Sequence, residues 1–407
     1  MPTRTRVPFS SRRGRRFRAV HRLLFAGLLL VPLAPGLAGA ASGNHLQPIR
    51  IGILAPLSGP YASGGSLFVQ AATLAVERAN SEGGVLGRRV ALVVSDTQGR
   101  VDIAKSETLR LVSREKVFAL VGAYLSEETV GVVEAAAAAK KIVVVPVAAT
   151  AEITDRVKRN YSRYRYVFRV GYSIPQWAGM LAEFLRERKI RNYAFVGAGI
   201  RWNRELALAL RKSFNRPVYE AFYSPSNPVF EPIAVGAAAS APDILVLADP
   251  GKNSVAFVKK LREGGARFPV LSVGGTLGDA RVASTLPTEP SLFVQAAAWE
   301  GTSEEATWYF QTFEKRYGYP PVGYSDTLPY DAVTVLLSAI RAARRAETGV
   351  VVDALERGAF PGVAGKYRFD SSHQAIWGPG SSPLHGTVVR WEKDGARIVF
   401  PAPASPR

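Results

Sequence analysis

From Pro48 onward the chain alternates short apolar runs, rich in β-branched residues, with longer stretches of helical periodicity. This alternation constrains the fold more than any other feature. The runs fall at 49–54, 89–95, 117–121, 142–145, 193–196, 218–222, 244–247, 270–273 and 292–294. Several are continuously apolar, as strands covered on both faces must be. Between them, Leu67, Ala71, Leu74 and Ala75 recur at i, i+4, i+7 and i+8. Ala178, Leu181, Ala182 and Leu185 recur at i, i+3, i+4 and i+7, so each stretch carries one apolar stripe. Strand–helix–strand repetition requires parallel sheets with right-handed crossovers. Nine such runs without a repeat of about 20–50 residues predict an α/β protein with two doubly wound parallel sheets rather than a solenoid. At the far end, 387–392 and 396–400 flank Lys393-Asp394-Gly395, an Asp-Gly hairpin signal, and the proline-rich tail 401–407 is expected to fray.

The formal charge of +19 suggests nucleic acid at first sight, but much of it lies at one end. Arg4, Arg6, Arg12, Arg13, Arg15, Arg16, Arg18 and Arg22 precede any acid. An apolar run at 23–31 follows, then Pro32, Pro35 and the small residues Ala38-Gly39-Ala40. A basic region, a short apolar core and an A-x-A-like site describe a secretory signal peptide over 1–40. The run is shorter than the roughly 20 residues a membrane span needs. Cleavage after Ala40 would leave +11. A periplasmic or extracellular product is expected, with no nucleic-acid partner; the arginine pairs leave general and twin-arginine export both open.

The chain has no cysteine, which excludes disulfides, thiolate metal sites, a thiol nucleophile and an N-terminal lipid-modified Cys. Its four histidines, His21, His45, His373 and His385, lack ligand spacing, so neither metal nor cofactor is expected.

Three loops attract attention because open α/β sheets bind ligands at the carboxyl ends of their strands. The first strand runs into a Gly- and Ser-rich segment at 55–65 that includes Ser63 and Gly64. The third is followed by Gly122-Ala123-Tyr124-Leu125-Ser126-Glu127-Glu128-Thr129, where Ser126 reads as a helix N-cap whose hydroxyl could equally hold a carboxylate. The fourth is followed by Pro146-Val147-Ala148-Ala149-Thr150. Each loop alone is an ordinary βα turn; three along one sheet edge are more informative.

Other motifs point elsewhere and fall short. Gly197-Ala198-Gly199 begins like a dinucleotide fingerprint, but Trp202 occupies the third glycine position, where close helix–strand packing is required. Residues 156–169 interleave Lys158, Arg159, Arg163 and Arg165 with Tyr161, Tyr164, Tyr166 and Phe168. This pattern suits single-stranded nucleic acid, although a solvated connector leading into a strand is the plainer reading. No nucleophile elbow, phosphate loop or zincin motif occurs, and no enzyme is expected.

The order of motifs is informative as a whole. I-R-I-G-I-L-A-P-L-S-G-P-Y, A-V-E-R-A-N-S-E-G-G-V-L-G-R-R-V and V-V-S-D-T are followed by L-V-G-A-Y-L-S, I-V-V-V-P-V-A-A-T and V-F-R-V-G-Y-S-I-P-Q. This arrangement resembles the periplasmic leucine/isoleucine/valine-binding protein family, the type I substrate-binding components of ABC importers. The resemblance extends over nearly all of 48–400 and is most specific in the N-terminal half. It implies two α/β lobes joined by three crossovers, a ligand cleft between them and closure about a hinge. Lobe one would comprise 48–168 and 297–375, and lobe two 169–296 and 376–400.

The resemblance also implies that Ser126 and Ala148, Ala149 or Thr150 hold a ligand carboxylate beside Tyr124 and Leu125. Ser63 and Gly64 would add contacts, and Trp202 would lie over the ligand from lobe two. Where the family places an acid for an α-ammonium group, this chain reads Gly274-Gly275-Thr276, and Asp249 stands after the 244–247 strand. The expected ligand is therefore either branched-chain-amino-acid-like or a carboxylate or amide with an apolar body. The expected partners are that ligand and an inner-membrane ABC permease, the protein itself being a monomer. The rivals are a ligand sensor serving a signalling partner and a cleft hydrolase or oxidoreductase.

Overall fold

The computed structural model describes residues 46–286, 291–378 and 382–401. The expected signal peptide lies outside these residues, as does the tail beyond Pro401.

Ten strands build two parallel sheets. β1 (Ile49–Ala55), β2 (Val90–Asp96), β3 (Ala119–Gly122), β4 (Ile142–Val145) and β5 (Val167–Arg169) form the first, in the order β2-β1-β3-β4-β5. β6 (Tyr193–Ala198), β7 (Tyr219–Tyr223), β8 (Ile244–Ala248), β9 (Val270–Val273) and β10 (Leu292–Ala296) form the second, in which β7-β6-β8-β9-β10 repeats the same winding. β11 (Phe360–Gly362) and β12 (Gly365–Tyr367) form a separate small hairpin. β13 (Thr387–Glu392) and β14 (Gly395–Phe400) extend the second sheet antiparallel from β10. The expected α/β class and doubly wound sheets are present.

The nine expected runs all become strands. β3, β4 and β8 are buried at every residue, which explains why they read as unbroken apolar runs. β2 lies at a sheet edge and is the most exposed of these, with Val94 at its surface. Both predicted helical stripes are buried: Leu67, Ala71, Leu74 and Ala75 on the helix Ala62–Ser81, and Ala178, Leu181, Ala182 and Leu185 on Ile174–Glu187. Truncating one such Leu to Ala would cost about 2–5 kcal/mol through lost transfer energy and the cavity left behind.

Two local expectations are corrected and a third is refined. The loop after β1 is shorter than 55–65, because its helix already begins at Ala62 and so includes Ser63 and Gly64. Ser126 is not an N-cap. Leu125 occupies that position, and the Glu128 carboxylate closes the turn by accepting from the Tyr124 and Leu125 N–H groups at 3.1 and 2.8 Å. Residues 156–169 lead into a strand as expected, with 158–163 exposed, but they are more structured than a plain connector. They contain the end of the helix Glu152–Arg159, a helical turn at Tyr161–Tyr164 and β5. Their arginines are engaged: Arg156 with Glu134 and Glu152, Arg163 with Glu134 and Arg165 with Asp353, while Arg169 is fully buried.

The helices Glu304–Tyr317 and Thr327–Ala343 return to the first sheet. The latter packs on Ala62–Ser81, and Tyr317 donates to the Gln70 carbonyl at 2.9 Å. The segments passing between the sheets are bonded to one another. Tyr172 donates to the Ala296 carbonyl at 3.2 Å, the Arg169 N–H to the His373 carbonyl at 2.9 Å, and the Trp377 indole to the Val170 carbonyl at 2.7 Å.

Candidate functional site

The carboxyl ends of five strands converge on one narrow pocket that opens to solvent. From the first sheet, the segment after β3 supplies Tyr124, Leu125 and Ser126, and that after β4 supplies Val147, Ala148 and Ala149. From the second, the helix after β6 supplies Trp202, and the turns after β8 and β9 supply Pro250 and Gly274. Trp177 and Tyr324 complete the wall from the segments that pass between the sheets. Strand ends on either side of the β1/β3 and β6/β8 winding reversals are where open α/β sheets form crevices.

The two loops of the first sheet are tied together. The Thr150 N–H donates to Ser126 Oγ at 3.3 Å, and the Ala149 carbonyl accepts from the Ile174 N–H at 3.0 Å. Behind them lies the guanidinium of Arg169, which is wholly buried. It donates to the Thr150 carbonyl at 2.6 Å, the Ala148 carbonyl at 3.4 Å, Thr154 Oγ1 at 3.1 Å and Gln374 Oε1. Burial pushes its pKa down to about 10, against the longer-range pull of Asp155, Asp370 and Glu205. A buried charge carries an effective penalty of several kcal/mol, which these four acceptors offset in part.

The far wall is aromatic. Trp177 and Trp202 stack with centroids 5.1 Å apart and planes 7° from parallel, and Tyr324 packs on Trp177 at 5.0 Å. The Trp177 indole N–H is buried and has no hydrogen-bond acceptor among the described residues. Tyr124 reaches the pocket over Gly64, where a Cβ would collide with the phenol, so no larger residue fits there without moving the ring.

Of the expected site residues, Tyr124, Leu125, Ser126, Ala148, Ala149 and Trp202 line the pocket. Thr150 is buried at its margin, where its Oγ1 donates to Glu205 Oε1 at 3.1 Å. Ser63 is exposed on its helix, and Gly64 acts through Tyr124. Gly275 lies outside the lining, beside Tyr324 and Ser325, with its neighbour Gly274 in the wall. Asp249 is also outside the lining, and both its oxygens are occupied: Tyr223 donates to Oδ2 at 2.6 Å and the Gly251 N–H to Oδ1 at 2.7 Å. Burial pushes its pKa up to about 6 despite these bonds.

Charged residues bridge the pocket rim. The Arg201 N–H donates to Glu127 Oε1 at 3.0 Å, and its guanidinium bonds Glu152 at 2.6 Å and Glu205 at 2.8 Å. Glu127 and Glu152 sit on helices of the first sheet, and Arg201 and Glu205 on the helix following β6. Among the described residues no group of three or more His, Asp or Glu side chains could hold a metal ion, and no helix is long and apolar enough to cross a membrane.

Two wound sheets whose strand ends meet at one pocket define a doubly wound α/β architecture with a crevice between the sheets. The family model described as periplasmic binding protein matches residues 48–396, and the chain belongs to that family. A Leu/Ile/Val-binding protein homolog 7 of Brucella suis is 24% identical over 383 residues, which span 85% of this chain and 91% of the relative. Among solved structures, the branched-chain amino acid transporter substrate-binding protein LivJ of Streptococcus pneumoniae, in complex with isoleucine, superposes with a TM-score of 0.73. It is 20% identical and covers 86% of this chain and 99% of its own. An ABC transporter solute-binding protein from R. palustris, in complex with benzoate, superposes at 0.74. It is 18% identical and covers 86% of this chain and 95% of its own. The likeness of fold establishes the type I periplasmic binding protein architecture, and these relatives are named as binding proteins rather than enzymes.

Proposed function

We propose that this protein is the exported substrate-binding component of an ABC importer, taking a small carboxylate- or amide-bearing ligand in the pocket between its sheets. The observation that carries this reading is the convergence of five strand ends on a single pocket with a polar loop wall and an aromatic wall. The first sheet, with 297–375, acts as lobe one, and the second sheet with the C-terminal hairpin as lobe two. Ser126 and the Ala148–Thr150 backbone receive the ligand's polar end, with Tyr124 and Leu125 beside it. Trp202 covers its body, while Ser63, Gly64, Asp249 and Gly275 shape the surroundings. Lobe two then closes about the connecting segments, and the closed form is what a membrane permease engages. Closure from 1:99 to 99:1 requires roughly 10⁴-fold preference of the ligand for the closed form.

A thermal-shift screen of amino acids, amides and aromatic acids tests the reading, because a ligand of the native state raises the melting temperature. Small-angle scattering with the best ligand is expected to show contraction. A screen in which no small molecule stabilises the protein would overturn the assignment.

A further inference from the structure

We propose that the pocket selects a small carboxylate with an apolar or aromatic body and no ammonium group, and that Arg169 enforces this choice from behind the Ala148–Thr150 loop. The inference rests on the pocket being the ligand site. It names the ligand's charge class and the residue that sets it.

The first observation is an uncompensated cation. All four partners of the Arg169 guanidinium are neutral: two backbone carbonyls, a hydroxyl and an amide oxygen. Among the described residues no carboxylate lies within ion-pair distance of it, and Asp155, Asp370 and Glu205 act only at longer range. The same bonds orient the loop. Arg169 takes the carbonyls of Ala148 and Thr150, and the Ile174 N–H takes that of Ala149. The Ala148 and Ala149 N–H groups have no protein acceptor among the described residues. The loop that lines the pocket thus has its carbonyls engaged on the side of a full positive charge while the Ala148 and Ala149 amides remain available, the Thr150 N–H being held by Ser126 Oγ. An anion in the pocket satisfies both.

The second observation is the lack of a counterpart for a positive group. No acidic or basic side chain lines the pocket. The nearest acids stand outside the lining: Asp249 bonds Tyr223 and Gly251, Glu127 the Arg201 N–H, Glu128 Oε1 the Tyr124 and Leu125 amides, and Glu205 Oε1 Arg201 and Thr150, while the second oxygens of Glu128 and Glu205 are buried without a partner among the described residues. Gly274 fills the wall after β9. An ammonium group would enter unpaired and facing the field of Arg169, which disfavours a zwitterion relative to the matching acid.

The third observation concerns the ligand's body. Trp177 stacks on Trp202, and its buried indole N–H lacks an acceptor. A flat or apolar body suits that wall, and an acceptor atom on the ligand would satisfy the indole.

Calorimetry with ligand-stripped protein and matched probes tests this: 3-phenylpropanoate against phenylalanine, 4-methylpentanoate against leucine, and benzoate against benzamide. At least one acid is expected to bind, and at least tenfold tighter than its amino acid or amide. An amino acid binding as tightly as its acid, an amide matching its acid, or no binding by any acid would overturn the proposal. In Arg169→Gln the acid-to-amide ratio should fall towards one while circular dichroism stays native. Should that variant fail to fold, Arg169→Lys, which keeps the charge, should keep the acid preference, and its loss would count against the role assigned to Arg169. Trp202→Ala separates the two readings. If amino acids win and the substitution weakens them, the pocket assignment stands and the charge class falls. If binding of every probe ignores the substitution, the pocket assignment itself falls.

Discussion

The indole of Trp202 lies parallel to that of Trp177, 5.1 Å away and within 7° of coplanar orientation, and both rings line the pocket. One comes from the helix after β6 and the other from the helix after the first passage between sheets, so the stack reports on how those two elements sit. Replacing Trp202 with Ala removes one of the two stacked rings from the pocket wall while leaving the residues of the first sheet unchanged. Ligand affinity is expected to fall at least tenfold, about 1.4 kcal/mol, in a calorimetric titration. Ligand-induced change in tryptophan fluorescence should shrink in parallel.

Ser126 presents a different prediction because its hydroxyl is buried and its bond to the Thr150 N–H is long, at 3.3 Å. The helix it begins is closed by Glu128, not by Ser126. Ser126→Ala should therefore weaken ligand binding by about 0.5–1.5 kcal/mol, the net worth of one hydrogen bond. The thermal midpoint without ligand should stay nearly constant. A large drop in that midpoint would place the residue among structural contacts.

The Arg201 cluster joins helices of the two sheets through Glu127, Glu152 and Glu205. Its side chains are about one-third exposed, so solvent screens the pairs and each is worth only about 0.2–1 kcal/mol. Arg201→Ala should loosen ligand binding two- to fivefold and leave the midpoint without ligand almost unchanged. The effect should diminish in high salt. A double-mutant cycle with Glu152→Ala, read by calorimetry, should show the two losses to be less than additive.

The parts of this protein that were legible in sequence share a physical cause. Strands covered on both faces must be apolar throughout, so β3, β4 and β8 announce themselves. β5 has three residues after a basic, tyrosine-rich stretch, and β11 and β12 are equally short and carry glycines, so no periodicity marks their limits. The same distinction holds at the site. Tyr124, Ser126 and Ala148 follow strand ends and can be found by that rule. Trp177 belongs to a helix whose stripe reads as ordinary core, and Tyr324 lies in a segment far along the chain that reaches the pocket only through the crossings between sheets. Arg169 reads as one more surface arginine. Its burial becomes visible only when β5 is seen to end against the Ala148–Thr150 loop.

Buried carboxyls give the last prediction. Asp331 is fully buried on the helix Thr327–Ala343 and accepts from the Val363 and Ala364 N–H groups and the Tyr367 hydroxyl, anchoring the turn between β11 and β12. Burial outweighs these bonds and pushes its pKa up to about 7. A carboxyl raised above its unfolded value holds a proton in the folded chain that the unfolded chain has released, from about pH 4 to pH 7. Stability from this group is therefore greatest below that window and is lost as pH rises through it. His373, whose pKa burial lowers, acts in the opposite direction, so the contribution of Asp331 is best read as a difference between proteins. Relative to Asp331→Asn, the wild-type protein should lose up to roughly 4 kcal/mol between pH 4 and pH 7, with no further change above. Urea unfolding of both proteins at half-unit pH steps measures it. Parallel stability profiles across that range would show that Asp331 is ionised throughout.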